Sequence, residues 1–181
     1  MQVGGFIADF VKGNKSTMYP SKIWEGVVLH RRIDEFTDNH KAVKEAVKLL
    51  KPSFGRYSAI IVDMYFDYFL ARNFSKHTNS KNLWLFTNSF SINAIVHYRH
   101  LPEKVKNFIF HFAFTNRLYK YRSISGLYES LQIMSNYKIK SLRPEECIHF
   151  LIENENALYP LFNILFDDLK AFSTNEINKL H

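Results

Sequence analysis

The chain has 181 residues and a formal net charge of +7, because 24 lysine and arginine residues stand against 17 acidic ones. Apolar residues make up 46% of the chain, a globular composition that excludes a disordered protein. The single cysteine, Cys147, excludes an internal disulfide, and no apolar run approaches the ~18 residues of a membrane-spanning helix. We therefore expect one domain, residues 1–181, in the cytoplasm, without a membrane partner. The basic charge favours an acidic partner.

Glycine and proline are scarce and apolar residues recur at helical spacing, so we predict an all-α fold. The first helix should end at Gly13, and the second should begin at Ser21 and reach about Phe36. We expect Asp38 to cap a third helix, which Pro52 ends. Further helices are predicted over residues 57–74, 82–100, 102–121 and 125–137. Pro144 begins the last helix, which Pro160 should kink or split.

The stretch "LHRRIDEFTDNH" carries the first group of candidate functional residues. His30, Asp34 and Asp38 are spaced four apart, so they would share one face if the helix persists that far. This face is either a solvated edge or one wall of a metal site. Arg31 and Arg32 flank the histidine, and each could pair with a carboxylate or hold a phosphate with its planar guanidinium.

The second group lies in "IIVDMYFDYFL", where Asp63 and Asp67 are again four apart. The other residues are apolar or aromatic, so we expect this helix to be mostly buried. Two like charges there would each need compensation by a divalent ion or an arginine. Asp9 is a third candidate among apolar neighbours, with a helix-terminal cap as the alternative. Carboxylates with an imidazole suit Mg²⁺, Mn²⁺ or Fe²⁺, whereas a thiolate zinc site has only Cys147 available.

Three further segments have structural interpretations. The aromatic runs "LWLF" and "FIFHFAF" are predicted to pack in the core, with the lining of an apolar channel as the alternative. The run "KAVKEAVKLLK" is typical of an amphipathic surface helix, and its dispersed lysines do not favour nucleic-acid binding. Cys147 is interpreted as a small buried apolar residue.

Four motifs in this order resemble the acyl carrier protein phosphodiesterase family, also called acyl carrier protein hydrolase. They are "GGFIADFVKG", "YPSKIWEGVVLHRRIDEFTDNH", "FGRYSAIIVDMYFDYFLARNF" and "NRLYKYRSISGLYESLQIMS". The resemblance covers nearly the whole chain and is densest over residues 4–74. The positions that match the family's motifs are Asp9, His30, Arg31, Asp34, Asp38, Asp63 and Asp67.

The resemblance implies a single all-helical domain, distantly similar to the HD-domain metal phosphohydrolases. It implies hydrolysis of the phosphodiester that links 4′-phosphopantetheine to holo acyl carrier protein. The implied cofactor is a divalent metal ion, Mn²⁺ first, with Mg²⁺ or Fe²⁺ as alternatives. Acyl carrier protein is strongly acidic, which agrees with the net charge of +7 found independently here.

The resemblance also assigns roles to residues. The implied metal ligands are Asp9, His30, Asp34, Asp63 and Asp67. Asp67 is in addition the candidate proton acceptor for the attacking water. Arg31 and Arg32 are candidates for stabilising charge on the phosphate, and Arg56 and Arg117 for binding substrate.

The chain departs from the family pattern at three places. An asparagine–hydrophobic–alanine–histidine motif that usually comes first has no counterpart here. Tyr68 stands where the family usually has a histidine, and Asn136 and Tyr137 replace a basic pair. Two other functions stay open: a phosphohydrolase acting on another phosphate ester such as a nucleotide, or a non-catalytic helical protein that binds an acidic partner.

Overall fold

The computed structural model describes residues 1–78 and 82–179, and within them it contains helices and no strand, as predicted. The α-helices, in chain order, are α1 (Gln2–Ile7), α2 (Ser21–Asn39), α3 (Lys41–Phe54), α4 (Ser58–Arg72), α5 (Phe74–His77), α6 (Leu83–Val96), α7 (Glu103–Lys106), α8 (Ile109–Phe114), α9 (Arg117–Lys120), α10 (Ile124–Tyr137) and α11 (Pro144–Asn178). Single 3₁₀ turns occupy Ala8–Phe10, Ser16–Met18, Gly55–Tyr57 and Tyr98–His100. Among the helices described, none combines the length and the hydropathy needed to cross a bilayer.

The chain forms two compact units. The first contains Met1–Asp38, Trp84–Arg117 and the residues from Asp168 onward, and the second contains Asn39–Leu83 and Leu118–Asp167. Helix α11 contributes residues to both units. The expectation of one domain over residues 1–181 stays a prediction.

The core of the first unit is built from α1, α2, α6 and the segment around α7 and α8. Its fully buried side chains include Ile7 of α1, Val27 of α2 and Ile109 of α8. The ring of Phe6 packs on this core, 5.1 Å from the ring of Phe90 between centroids and 5.3 Å from that of Phe112. Apolar burial therefore fixes α1 against the N-terminal half of α2.

Helices α1 and α2 approach so closely that glycine is required at the contact. A Cβ atom on Gly4 would lie 1.9 Å from the carbonyl oxygen of Ile23, and one on Gly26 would lie 2.1 Å from that of Met1. Both obstacles are backbone atoms, which cannot turn aside as a flexible side chain would. The contact sets the distance between α2 and the 3₁₀ turn that follows α1.

Helices α3 and α4 pack together in the second unit. Helix α3 buries Ala42, Val43, Ala46 and Leu50 and exposes its lysines, which confirms the predicted amphipathic surface helix. On α4, the Tyr65 hydroxyl donates a hydrogen bond to the carbonyl oxygen of Cys147 at 2.5 Å. Cys147 itself is fully buried, as predicted.

Several predicted helix boundaries were wrong. Helix α1 ends at Ile7 instead of Gly13, and α6 ends at Val96 instead of His100. Asp38 lies in the last turn of α2, and His40 caps α3 instead, because its Nδ1 accepts a hydrogen bond from the amide of Ala42 at 3.3 Å. Helix α3 also runs past Pro52 and ends at Gly55, which has a φ of +53°. Glycine adopts this left-handed conformation without the steric cost that other residues meet, so it ends the helix.

Two predicted helices also differ in extent. The helix expected over residues 102–121 is divided into α7, α8 and α9. At the end of α8 the Thr115 hydroxyl donates to the carbonyl oxygen of His111 at 2.8 Å, and Asn116 has a φ of 43°. Pro160 does not split α11. Proline has no N–H to donate, so the carbonyl of Asn156 loses its partner within the helix. Both residues are exposed, and that carbonyl can bind water instead.

Part of the predicted aromatic core lies at the surface. The exposed fraction is 50% for Trp84, 58% for Leu85, 56% for Phe110 and 91% for Phe114. Their helices are apolar on more than one side, and only the side that carries residues such as Phe90 and Phe112 faces the core. Helical spacing of apolar residues alone does not distinguish the two sides.

Gly4→Ala should lower the free energy of unfolding by about 1–3 kcal/mol, because the new methyl group meets backbone and forces α1 away from α2. Gly5→Ala is the matched control, since its Cβ would meet only the His30 side chain at an ordinary distance of 3.8 Å. Urea unfolding followed by circular dichroism measures both. Equal stability of the two variants would contradict the close-contact interpretation.

Candidate metal centre

The structure brings Asp9, His30 and Asp34 together in the first unit. Each offers one ligand atom, and these three atoms all lie within 4.8 Å of one another. Over residues 1–78 and 82–179 no second group of three histidine, cysteine or acidic side chains meets this spacing. The stripe predicted on α2 and the separate candidate Asp9 therefore form one cluster.

Two elements position the cluster. Asp9 is exposed on the 3₁₀ turn Ala8–Phe10, directly after α1. His30 and Asp34 lie one turn apart on α2, where Nδ1 of the imidazole is 2.9 Å from Oδ2 of the carboxylate. Their side chains are 31% and 50% exposed, so the cluster is open to solvent on one side.

The cluster has an excess of negative charge. The pKa of the Asp34 carboxyl group is raised, first by its partial burial and further by the charges of Asp9 and Asp38. The hydrogen bond and the charge of His30 act in the opposite direction but do not cancel these effects. A bound cation would favour the charged carboxylate and remove this conflict.

Asp63 and Asp67 form a separate pair on α4, in the second unit. Their neighbours in α4 are buried, but both aspartates are exposed, so the burial expected for this pair was wrong. Desolvation by the surrounding protein atoms, and second the charge of Asp63, raise the pKa of Asp67 to about 7.

The side chain of Arg31 is bonded to backbone. Its Nη2 donates hydrogen bonds to the carbonyl oxygens of Val11, at 2.5 Å, and Gly13, at 3.0 Å. The guanidinium carbon lies 5.5 Å from the centre of the Trp24 ring. The predicted role of Arg31 at the phosphate stays a prediction.

Arg32 forms an ion pair with Glu176, a carboxylate of α11 that is only 5% exposed. Lys179 also pairs with Glu176, and the hydrogen bonds from Lys179 and Arg32 lower its pKa. Nearby, the rings of Phe36 and Phe172 stack with centroids 4.4 Å apart. These contacts hold the end of α11 against α2 within the first unit, and the phosphate role of Arg32 stays a prediction.

The two predicted substrate-binding arginines lie in different units. Arg56 donates a hydrogen bond to the Tyr57 hydroxyl at 2.5 Å, with its guanidinium over that ring, in the second unit. Arg117 is half-buried at the start of α9, in the first unit. Their substrate-binding role stays a prediction.

Tyr68, at a position where the resemblance implies a histidine, is buried and bound to another residue of α4. Its hydroxyl accepts a hydrogen bond from Nη1 of Arg72 at 2.8 Å. The same guanidinium donates to both carboxylate oxygens of Glu155, at 3.1 and 2.6 Å. Tyr68 therefore serves the packing of α4 against α11 within the second unit.

Known proteins provide an independent comparison. The family described as acyl carrier protein phosphodiesterase matches residues 1–169. A protein of that name from Yersinia pestis is 30% identical over 138 residues, which cover 76% of this chain and 72% of that protein. One from Enterobacter sp. (strain 638) is 41% identical over 73 residues, 40% of this chain and 38% of that protein. One from Salmonella agona (strain SL483) is 34% identical over 112 residues, 59% of this chain and 53% of that protein.

The chain thus spans about half or less of the length of two of these relatives and nearly three quarters of the third. A search of the solved structures finds none that matches. The family match, by contrast, extends through Asp9, the whole of α2 and the whole of α4. This chain belongs to the acyl carrier protein phosphodiesterase family.

Proposed function

We propose that the chain is a metal-dependent phosphodiesterase acting on holo acyl carrier protein. It would hydrolyse the phosphodiester that links 4′-phosphopantetheine to the carrier and leave apo acyl carrier protein. The observation that carries the proposal is the convergence of Asp9, His30 and Asp34 in a member of this family. The net charge of +7 supports an acidic protein as substrate.

The residues of the cluster fit a divalent ion. Two carboxylate oxygens and one imidazole nitrogen are a mixed donor set that suits Mn²⁺ first, with Mg²⁺ or Fe²⁺ as alternatives. When bound, such an ion supplies Lewis-acid stabilisation of the charge that develops on the phosphoryl oxygens. Asp9, His30 and Asp34 would hold it, and the charge conflict at Asp34 supports this assignment.

The hydrogen bond between His30 and Asp34 fixes the imidazole ring within the cluster. The bond between Nδ1 of His30 and Asp34 fixes the orientation of the ring and leaves Nε2 as its other nitrogen.

The carboxylate pair of α4 keeps its predicted roles in the proposal. Asp63 and Asp67 are proposed as metal-binding residues, and Asp67 also as the proton acceptor for the attacking water. A carboxyl group with a pKa of about 7 is about half deprotonated at neutral pH and holds an accepted proton well. The negative charge of Asp63 raises this proton affinity.

The distant similarity to HD-domain metal phosphohydrolases is supported by the all-helical fold alone. A cytoplasmic location is supported by the single free cysteine, Cys147.

Incubation with holo acyl carrier protein and Mn²⁺ should remove the prosthetic group, and intact-mass spectrometry of the carrier measures its loss. Asp63→Ala should abolish the release while circular dichroism shows an unchanged helical fold, because an exposed carboxylate supports no core packing. Glu45→Ala, which removes an exposed carboxylate from α3, should release the group at the wild-type rate. An unchanged carrier mass would contradict the substrate, and a panel of phosphate esters including nucleotides would then test the alternative enzyme.

Mn²⁺ should raise the melting temperature of the wild-type protein, by an amount equivalent to about 2.7 kcal/mol at ~100 times its dissociation constant. Asp9→Asn should lose most of this shift, because one of the three converging donors becomes neutral. Glu103→Gln is the control, since it neutralises a carboxylate of the first unit whose side chain is 82% exposed. A protein that shows no shift with Mn²⁺, Mg²⁺ or Fe²⁺ supports the non-catalytic alternative instead.

Asp67→Asn should change how stability depends on pH. The wild-type carboxyl group has a pKa of about 7 when folded against an ordinary value of 3.8, so the folded state binds the additional proton between these values. Wild-type stability should therefore fall as the pH rises through this window, and the variant should lack that fall. Urea unfolding with a chelator at about pH 4, 5.5 and 8 measures the difference. A difference that is the same at each pH would refute the raised pKa.

A further inference from the structure

Arg31 connects the two elements that carry the cluster. It follows His30 directly on α2, and its side chain reaches the segment after Asp9. A single nitrogen, Nη2, donates to two carbonyl oxygens, those of the residues two and four positions beyond Asp9. The acceptors of Arg31 are therefore main-chain atoms of the segment that follows the Asp9 turn.

The two residues that accept hydrogen bonds from Arg31 each have a defined backbone conformation. Val11 is extended, with φ −103° and ψ 103°, and its side chain is buried in the core of the first unit. Gly13 has a φ of +70°, and a Cβ there would meet nothing within 4 Å, so glycine serves the backbone conformation rather than space. The ring of Trp24, two turns earlier on α2, lies beside the guanidinium and restricts its orientation.

We infer that Arg31 is a positioning residue, which holds Asp9 at the correct distance from His30 and Asp34 by tying the segment after Asp9 to α2. Asp9 itself is exposed on a three-residue turn, which is a weak support for a ligand. Helix α1 holds the chain before this turn, and the hydrogen bonds of Arg31 hold the chain after it. The inference rests on the proposed function only for the identity of the ligand that the three residues hold.

The charge of Arg31 and its hydrogen bonds predict opposite effects of its removal on cation affinity. A guanidinium next to a cation site repels the cation, so removing it should strengthen cation binding if charge were all that mattered. A role at the phosphate would leave cation binding unchanged. Positioning predicts that removal weakens cation binding, because Asp9 then samples positions away from the other two donors.

The test measures Mn²⁺ affinity directly, by electron paramagnetic resonance of the free ion at constant pH. Arg31→Gln should weaken binding about tenfold, the size of effect typical for residues that orient metal ligands. Arg31→Lys keeps a cationic donor but on a shorter side chain that reaches the two carbonyl oxygens less well, so it should recover only part of the loss. Arg99→Gln, which removes the same charge from the exposed turn Tyr98–His100 of the first unit, should bind as the wild type does.

A second readout needs no metal. Hydrogen–deuterium exchange of the metal-free protein should be faster over residues 8–15 in Arg31→Gln and unchanged in the second half of α2. If Arg31→Gln does not fold, Arg31→Lys carries the test, because its alkyl chain can still pack on Trp24.

The measurements distinguish failure of the Arg31 role from failure of the metal requirement. Unchanged or tighter Mn²⁺ binding by folded Arg31 variants overturns the positioning role. A wild-type protein that takes up no Mn²⁺ overturns the proposed metal requirement. In that case unchanged exchange over residues 8–15 in the variants would overturn the tether independently.

Discussion

The close backbone contact between α1 and α2 is the constraint on which the candidate site depends. Gly4 and Gly26 let the two helices approach to a distance at which any side chain would collide with a carbonyl oxygen. A contact between main-chain atoms has no rotamers, so its geometry varies less than that of a contact between long side chains. Two residues of the cluster lie on α2 and the third, Asp9, lies on the 3₁₀ turn directly after α1, so their spacing depends on this contact.

Helix α2 carries four polar residues within five positions, and they do not all point in the same direction. Successive residues on a helix are turned by about 100°, so His30 and Asp34 share a face that Arg31 and Arg32 do not. Arg31 binds the segment after Asp9, and Arg32 binds a buried carboxylate of α11. The sequence left two roles open for these arginines, pairing with a carboxylate or holding a phosphate. In the first unit Arg32 pairs with a carboxylate and Arg31 binds backbone carbonyl oxygens.

Sequence reasoning was effective where the signal is local and weak where it is not. Spacing of four residues predicted that His30 and Asp34 share a face. Asp9 was a separate candidate because its neighbours are apolar, and the family resemblance implied that it binds the same metal ion. The partner of Arg32 could not be predicted, because Glu176 is 144 residues away and periodicity carries no information about such a pair. The acceptors of Arg31 are backbone carbonyls, which have no sequence signature at all. Burial of Asp63 and Asp67 was inferred from apolar neighbours, but a helix can bury most of its circumference and still expose one narrow edge.

The three residues of the proposed site lie on two different elements, which affects the size of ion that the site would accept. His30 and Asp34 are joined by a rigid helical turn, whereas Asp9 comes from a short 3₁₀ turn of another segment. Oxygen ligands lie about 2.0–2.1 Å from Mg²⁺ and about 2.3–2.6 Å from Ca²⁺, so ions differ in the span they require. The Asp9 side of the proposed site can open or narrow that span through a shift of its short turn, without distorting α2. Discrimination between small and large ions would therefore depend on how firmly that turn is held.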